Sequence, residues 1–598
     1  MAKKSKKAAA EKEVEIPAET AAKESTPRFF ESSGSWRTAS ILILLIASAL
    51  RLFSIGLKPF HHDEGVNGFF LITLARQHVY HYDPSNYHGP TLYFLALASS
   101  FLFGLNDFAV RFVTALFGIL IVAGVLSLRR HLGSAGALAA ALFVALSPGM
   151  TFISRYFIHE MLFVFFTFAV VLGVVKFIDR DRLDNFAIAA FSILLTVCQI
   201  PAIFKFANYV GAGNENLWFG VSIGLGALAI ALTYFLVRAL IDWRAGLFVY
   251  LLLAAASAAL AFATKETAFI SFGTIIIAII ATSVWRSLLG NKTQNEFLDL
   301  NLKTFRQKLG STQNTISLIV LCLCIFAYVC ALFFSSFFTY SEGLPGAFEA
   351  YNVWTKTGST AHTQNGTWAY LKWLWQVESA LLLLGALGAA IALWQAKHKF
   401  AIFTAFWAFG LLAAYTLIPY KTPWLAVNFI LPLAMIAGYG INELSGSRVA
   451  WQRYAAAFLA AAAIGLGAYQ CVELNFYRYD DAKEPYVYAH SKRELLDLTG
   501  KIKRVAIVSG KNNETGIFLV SPDYWPLPWY LRDYKNVGFY GKITPTSTAE
   551  VVIGSMEQEA ELETVYASNY TYLGLYPLRP GVDLMLYVRK DLAEKLTD

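Results

Sequence analysis

Two adjacent carboxylates, Asp63 and Glu64, stand within Lys58-Pro59-Phe60-His61-His62-Asp63-Glu64-Gly65, just past the first apolar run of the chain. At a water–lipid boundary an apolar environment raises a carboxylate's pKa towards general-base use. The plain alternative is a solvated loop with incidental acids. Against it stand residues 66–76, which read as a short amphipathic helix that would hold the pair at the membrane surface, and Tyr87-His88-Gly89-Pro90 beyond. A second group is Ser154-Arg155-Tyr156-Phe157-Ile158-His159-Glu160, where Glu160 opens a strongly apolar helix. An acid there complements the helix dipole, but capping does not explain Arg155, Tyr156 and His159 beside it.

Lone cations form a third group. Thr264-Lys265-Glu266-Thr267 and Pro419-Tyr420-Lys421-Thr422-Pro423-Trp424 each place a lysine in a tight turn between apolar runs, while Arg51 lies within the first such run and Arg111 at the start of the second. Snorkelling is the ordinary account. A phosphate at headgroup depth is the partner such a cation would suit, and an arginine embedded at membrane depth is a functional hypothesis. The loop 338–376 adds Tyr340, Glu342, His362 and the run Thr367-Trp-Ala-Tyr-Leu-Lys-Trp-Leu-Trp. Its tryptophans read first as interfacial anchors and second as faces that stack on sugars. No HExxH or CxxC marks a metal site. Carboxylates can hold a hard divalent cation without any such mark, so a metal ion stays open.

These groups need elements to position them, and the elements are membrane spans. Of 598 residues, 56% are hydrophobic and 15% charged, with mean hydropathy +0.49; soluble domains carry about 25% charged residues. Apolar runs of bilayer-crossing length, about 17–25 residues, are expected near 40–57, 108–128, 133–150, 160–178, 185–203, 217–239, 245–263, 267–286, 314–337, 377–396, 400–418, 424–443 and 449–470. The stretch 91–105 is short and reads as interfacial or re-entrant. With the lysine-rich N-terminus inside and 91–105 not crossing, Arg129-Arg130, 176–182, 238–244, 286–308 and Lys397-His398-Lys399 all fall inside, as the positive-inside rule requires. Asp63-Glu64, His88, Glu160, Lys265, Lys421, the loop 338–376 and the tail after 470 then share the outer face. The excess of 49 Lys+Arg over 41 Asp+Glu is therefore topological and gives no ground for nucleic-acid binding. Four of the five cysteines fall in apolar runs, which gives no disulfide framework.

Three domains are expected: a disordered cytoplasmic tail over 1–39, a transmembrane domain over 40–471 with outer loops 58–107 and 338–376, and an extracytoplasmic α/β domain over 472–598. Strand-like runs at 504–509, 550–554 and 584–588 alternate there with a helical pattern at 494–502.

His62-Asp63-Glu64-Gly65, His88-Gly89-Pro90-Thr91-Leu92-Tyr93, the run 103–112, Ser154-Arg155-Tyr156 with Glu160, and Pro419 to Trp424 together resemble the GT-C superfamily of membrane glycosyltransferases, in its protein mannosyltransferase and aminoarabinose transferase-like branch. Asp480-Asp481, 485–490 and 523–532 look like a prokaryotic subgroup labelled flippase-associated. The resemblance implies a multi-pass plasma-membrane enzyme taking a sugar from a polyprenyl-phosphate donor to an extracytoplasmic acceptor (protein, lipid or glycan) with inversion. It implies Asp63 as the catalytic acid–base group supported by Glu64, and Glu160 as the second acid. His88, Arg111, Lys265 and Lys421 would bind donor phosphate; Arg155, Tyr156, His362 and Tyr420 would line the substrate. The rival reading is a lipid or glycan transporter, or a flippase-associated protein without transferase activity. Transporters place polar groups near the bilayer midplane, whereas the charges here sit at span ends.

Overall fold

A computed structural model describes residues 33–211, 213–242, 246–289, 302–359, 365–545 and 547–596. Among them, ten helices are long and apolar enough to cross a bilayer, or up to twelve if each of two bent pairs is one span. Every expected span is helical. Three depart from a single straight crossing. Ser134–Leu146 and Pro148–Ser154 meet at 58°, and Ala369–Val377 and Ser379–Gln395 at 109°. The third, Phe248–Phe262, has only 15 residues. The first bend falls where Ser147 caps the Pro148 turn, its Oγ accepting from the Met150 N–H. The first helix starts at Ser33 rather than near 40; the rest of the expected tail lies outside the described residues. Thr91–Phe103 is a 13-residue helix, about 20 Å long at 1.5 Å per residue and so short of the hydrocarbon core.

Burial sorts the helices. Pro423–Ser445, with its window 94% buried, is the axis of the bundle, whereas Asn185–Val210, Glu215–Ala239 and Thr312–Phe334 are at most 22% buried. The latter expose Ile193, Phe235, Leu323 and similar side chains, the surface a lipid-facing helix presents. Small residues let the axis pack closely: a Cβ on Gly438 would lie 2.3 Å from the Gly136 carbonyl oxygen. The chain is a multi-pass membrane protein.

The C-terminal domain holds one five-stranded sheet, β1 (Gly516–Leu519), β2 (Asn536–Phe539), β3 (Val551–Ser555), β4 (Tyr570–Arg579) and β5 (Val582–Arg589). The order is β2-β1-β3-β5-β4, parallel among the first three and antiparallel thereafter. β3 is buried on both faces, as a central strand covered on two sides must be. Val551 and Ile553 face the core shared with Glu494–Val508, and Val552 faces that of Glu559–Tyr566. The expected strand at 504–509 is instead the end of the Glu494–Val508 helix. Leu495, Leu498, Ile502 and Val505 are all buried, so the helical stripe runs on through the β-branched residues and packing overrides their strand preference.

Candidate active site

The helix His62–Gln77 is started by a capping box. His61 Nδ1 accepts from the Asp63 N–H at 3.0 Å, and Glu64 Oε2 accepts from the His61 N–H at 3.0 Å. His61 Nε2 meets the Tyr488 carbonyl at 2.9 Å, so the ring bridges a first-turn amide and a backbone oxygen. Asp63 and Glu64 therefore occupy the first helical turn, about 100° apart around the axis, and diverge.

Glu64 turns inward. Arg111 donates to it in fork geometry, Nε to Oε1 and Nη2 to Oε2, both at 2.7 Å, and the Phe157 N–H donates to Oε1 at 2.8 Å. Both side chains are fully buried. Arg111 also donates to the carbonyls of Ile55, Lys58 and Pro59. The pair is a latch fastening the loop before His62 to the Asp107–Leu126 helix, with every bond made inside the protein.

Asp63 turns the other way, into a cavity of about 600 Å³. Its carboxylate is 41% exposed there and lies 3.2 Å from His62 Nδ1. Burial works to raise its pKa, but the neighbouring His61 and His62 rings more than offset that and hold it at about 2. The expected upward shift is thus reversed: Asp63 is an ionised acceptor at neutral pH.

The opposite wall is built from three distant segments. The turn after Phe248–Phe262 offers Lys265 and Glu266; Glu160 forms an ion pair with Lys265, and His88 Nδ1 lies 3.0 Å from Glu266 Oε2. All four line the cavity. Their closeness depends on Gly89, whose N–H donates to the Thr264 carbonyl at 3.1 Å and where a Cβ would stand 2.0 Å from the Ala263 oxygen. His159 Nε2 meets the Gly89 carbonyl at 3.1 Å. Aromatic side chains close the sides: Tyr87, Trp354, Tyr415, Tyr420, Trp424 and Tyr488. No three His, Cys, Asp or Glu side chains among the described residues are arranged to hold a metal ion.

Of the sequence-derived candidates, Asp63, His88, Glu160, Lys265 and Tyr420 meet in this cavity. Glu64 and Arg111 face each other behind it. Arg155 donates to the carbonyls of Leu50, Phe53 and Ser54, where it caps the end of the first helix. Lys421 donates to the carbonyls of Tyr415, Thr416 and Ile418 at the end of Lys399–Leu417. Tyr156 is fully buried against the His61 ring. His362 lies outside the described residues. The cavity adds Glu266, Trp354, Tyr488 and Arg579, for which the sequence predicts no role, and His159, which stands out in sequence beside Glu160. Glu266 sat beside Lys265 in a segment already singled out, and Tyr488 within 485–490. Nothing local marks Trp354 or Arg579.

Residues 87–209 match the profile of the dolichyl-phosphate-mannose-protein mannosyltransferase family. No curated protein matches the chain by sequence. The fold is similar to that of ArnT from Cupriavidus metallidurans, solved with bound undecaprenyl phosphate (TM-score 0.52, covering 93% of this chain and 98% of that one). The apo state of that protein gives 0.51 over 92% and 98%, and identity is 12% in both. The chain thus has an ArnT-like fold, and within it residues 87–209 form a segment similar to the mannosyltransferase family.

Proposed function

We propose that the chain is an integral membrane glycosyltransferase that moves a sugar from a polyprenyl-phosphate donor to a hydroxyl of an extracytoplasmic acceptor, with inversion at the anomeric carbon. The observation that carries this reading is the convergence of Asp63, Glu160, His88 and Lys265, from segments up to 202 residues apart (265 − 63), on one aromatic-walled cavity. In the reaction the acceptor oxygen forms a bond to the anomeric carbon as the bond to the phosphate oxygen breaks. The acceptor proton passes to the Asp63 carboxylate, and the electron pair leaves on the lipid phosphate. Lys265 and His88 face the developing phosphate charge, with Glu160 and Glu266 fixing their positions. Tyr87, Tyr420 and Trp354 offer faces for the sugar ring.

A second cavity of about 470 Å³ supports a lipid-borne donor. Its lining is almost wholly apolar and extends from Thr91 and Leu95 past Phe117 and Phe166 to Lys176 and Asp184. Thr91 bonds to the Ala263 carbonyl, next to the Gly89–Thr264 contact, so this apolar space begins behind the wall of the polar one. A bound undecaprenyl phosphate in the ArnT structure supports the same donor class. The placement of the basic hairpins supports an outward-facing site, where nucleotide sugars are absent and a lipid carrier is required.

The test is reconstitution in proteoliposomes with polyprenyl-phosphate sugars, following release of the polyprenyl phosphate. Asp63→Asn is expected to slow release by about 10²–10⁴-fold, the usual worth of a positioned proton acceptor. Release at the wild-type rate in that variant would remove Asp63 from the mechanism.

A further inference from the structure

Arg579 reaches the active cavity from the far end of the chain. It is the last residue of β4, the edge strand of the C-terminal sheet, and the β4–β5 ladder slips between Pro577 and Arg579. A bulge of this kind re-aims the side chain that follows it. The preceding residue, Leu578, accepts from the Lys492 N–H at 2.8 Å. That bond ties the strand end to the segment carrying Tyr488 and Ala489, which also line the cavity. Ala489 is held at φ +53°, a left-handed conformation that a non-glycine residue keeps only where its surroundings over-determine it. The Tyr488 carbonyl in turn meets His61. The roof over the cavity is therefore part of the C-terminal domain and is fastened to the loop that carries Asp63.

The guanidinium of Arg579 is anchored on one side only. Its Nη2 donates to Asp523 Oδ1 at 2.5 Å, a carboxylate 51% exposed. Its Nη1 is buried and has no acceptor among the described residues. A buried donor without an acceptor is costly, and the planar fork of arginine matches phosphate oxygens. Of the other cations assigned to phosphate by sequence, Arg111 and Lys421 lie outside the cavity on Glu64 and helix-end carbonyls, while Lys265 and His88 line it with their charge shared with Glu160 and Glu266. Among the described residues, Arg579 is the one guanidinium lining the cavity.

We propose that Arg579 binds the phosphate of the lipid donor, so that the C-terminal domain completes the donor site. The proposal rests on the polyprenyl-phosphate reading above, and the experiment separates the two. The full-length protein in nanodiscs is titrated with undecaprenyl phosphate and with undecaprenol, followed by tryptophan fluorescence, to which Trp354 and Trp424 in the cavity wall report. Wild type is expected to bind the phosphate at least tenfold more tightly than the alcohol. Arg579→Gln is expected to lose most of that preference while its affinity for the alcohol is unchanged. Arg579→Lys, which keeps the charge but not the fork, is expected to lose at least threefold and carries the test if the glutamine variant does not fold. A full preference in Arg579→Gln, or in Arg579→Lys when that variant stands alone, overturns the role of Arg579 and leaves the donor reading intact. A wild type with no preference overturns the donor reading, and the proposal with it.

Discussion

Replacing Glu64 by alanine deletes one acceptor of four hydrogen bonds: two from Arg111 at 2.7 Å, one from the Phe157 N–H at 2.8 Å and one from the His61 N–H at 3.0 Å. Arg111 is then left as a fully buried charge facing only the carbonyls of Ile55, Lys58 and Pro59. Removing one partner of a buried pair costs about 3–5 kcal/mol, and loss of the capping box adds roughly 1 kcal/mol. The three remaining carbonyl bonds argue for the lower end of that range. Even about 3 kcal/mol is a large share of a marginal stability. Thermal unfolding of the purified protein in detergent, followed at fixed scan rate because such unfolding is irreversible, is expected to show a clearly lowered transition. The double variant Glu64→Leu/Arg111→Met, with an apolar pair of similar bulk, is expected to recover much of it. Wild-type unfolding in Glu64→Ala together with lost donor binding would refute the latch and make Glu64 and Arg111 substrate-binding groups.

Lys265→Met leaves Glu160 buried and unpaired, so both donor affinity and thermal stability should fall; adding Glu160→Gln should restore stability but not turnover. Turnover restored by the double variant would remove Lys265 from the phosphate site. Gly89→Ala drives a Cβ to 2.0 Å from the Ala263 oxygen and should pull His88 away from Glu266, lowering turnover at least tenfold; an unaffected rate would show that the 88–90 turn is not held as described. Asp63 has its folded pKa, about 2, below the usual carboxylate value near 4. Its contribution to stability is therefore present above about pH 4 and is lost as pH falls towards 2. The rate of sugar release should accordingly show no limb from Asp63 between pH 7 and pH 5, and a limb in that range that Asp63→Glu displaces would contradict the assignment.

Much of the site was legible because some chemistry is local. An acid at a helix start, a histidine before Gly-Pro and a lysine in a short interhelical turn are visible one segment at a time, and Asp63, His88, Glu160 and Lys265 do meet in one cavity. Arg111, Arg155 and Lys421 show where that reasoning stops. A cation at a helix end looks the same in sequence whether it awaits a phosphate or bonds to carbonyls within its own protein, and here the protein supplies the acceptors. Asp63 and Glu64 differ for a related reason. Adjacent residues of a helix point about 100° apart, and only the position of the Asp107–Leu126 helix decides which one finds an arginine. In the C-terminal domain, burial beside β3 and β5 made a helix end of the β-branched run at 504–508.

The sequence by itself determined most of the elements, since apolar length and periodicity depend on neighbours a few residues away. It determined the spans, the basic hairpins between them and the candidate acids at their ends. The tertiary structure alone decided which charges face the cavity and which meet the protein, because that turns on contacts such as Tyr488 with His61 or Arg579 with the cavity, made across hundreds of residues.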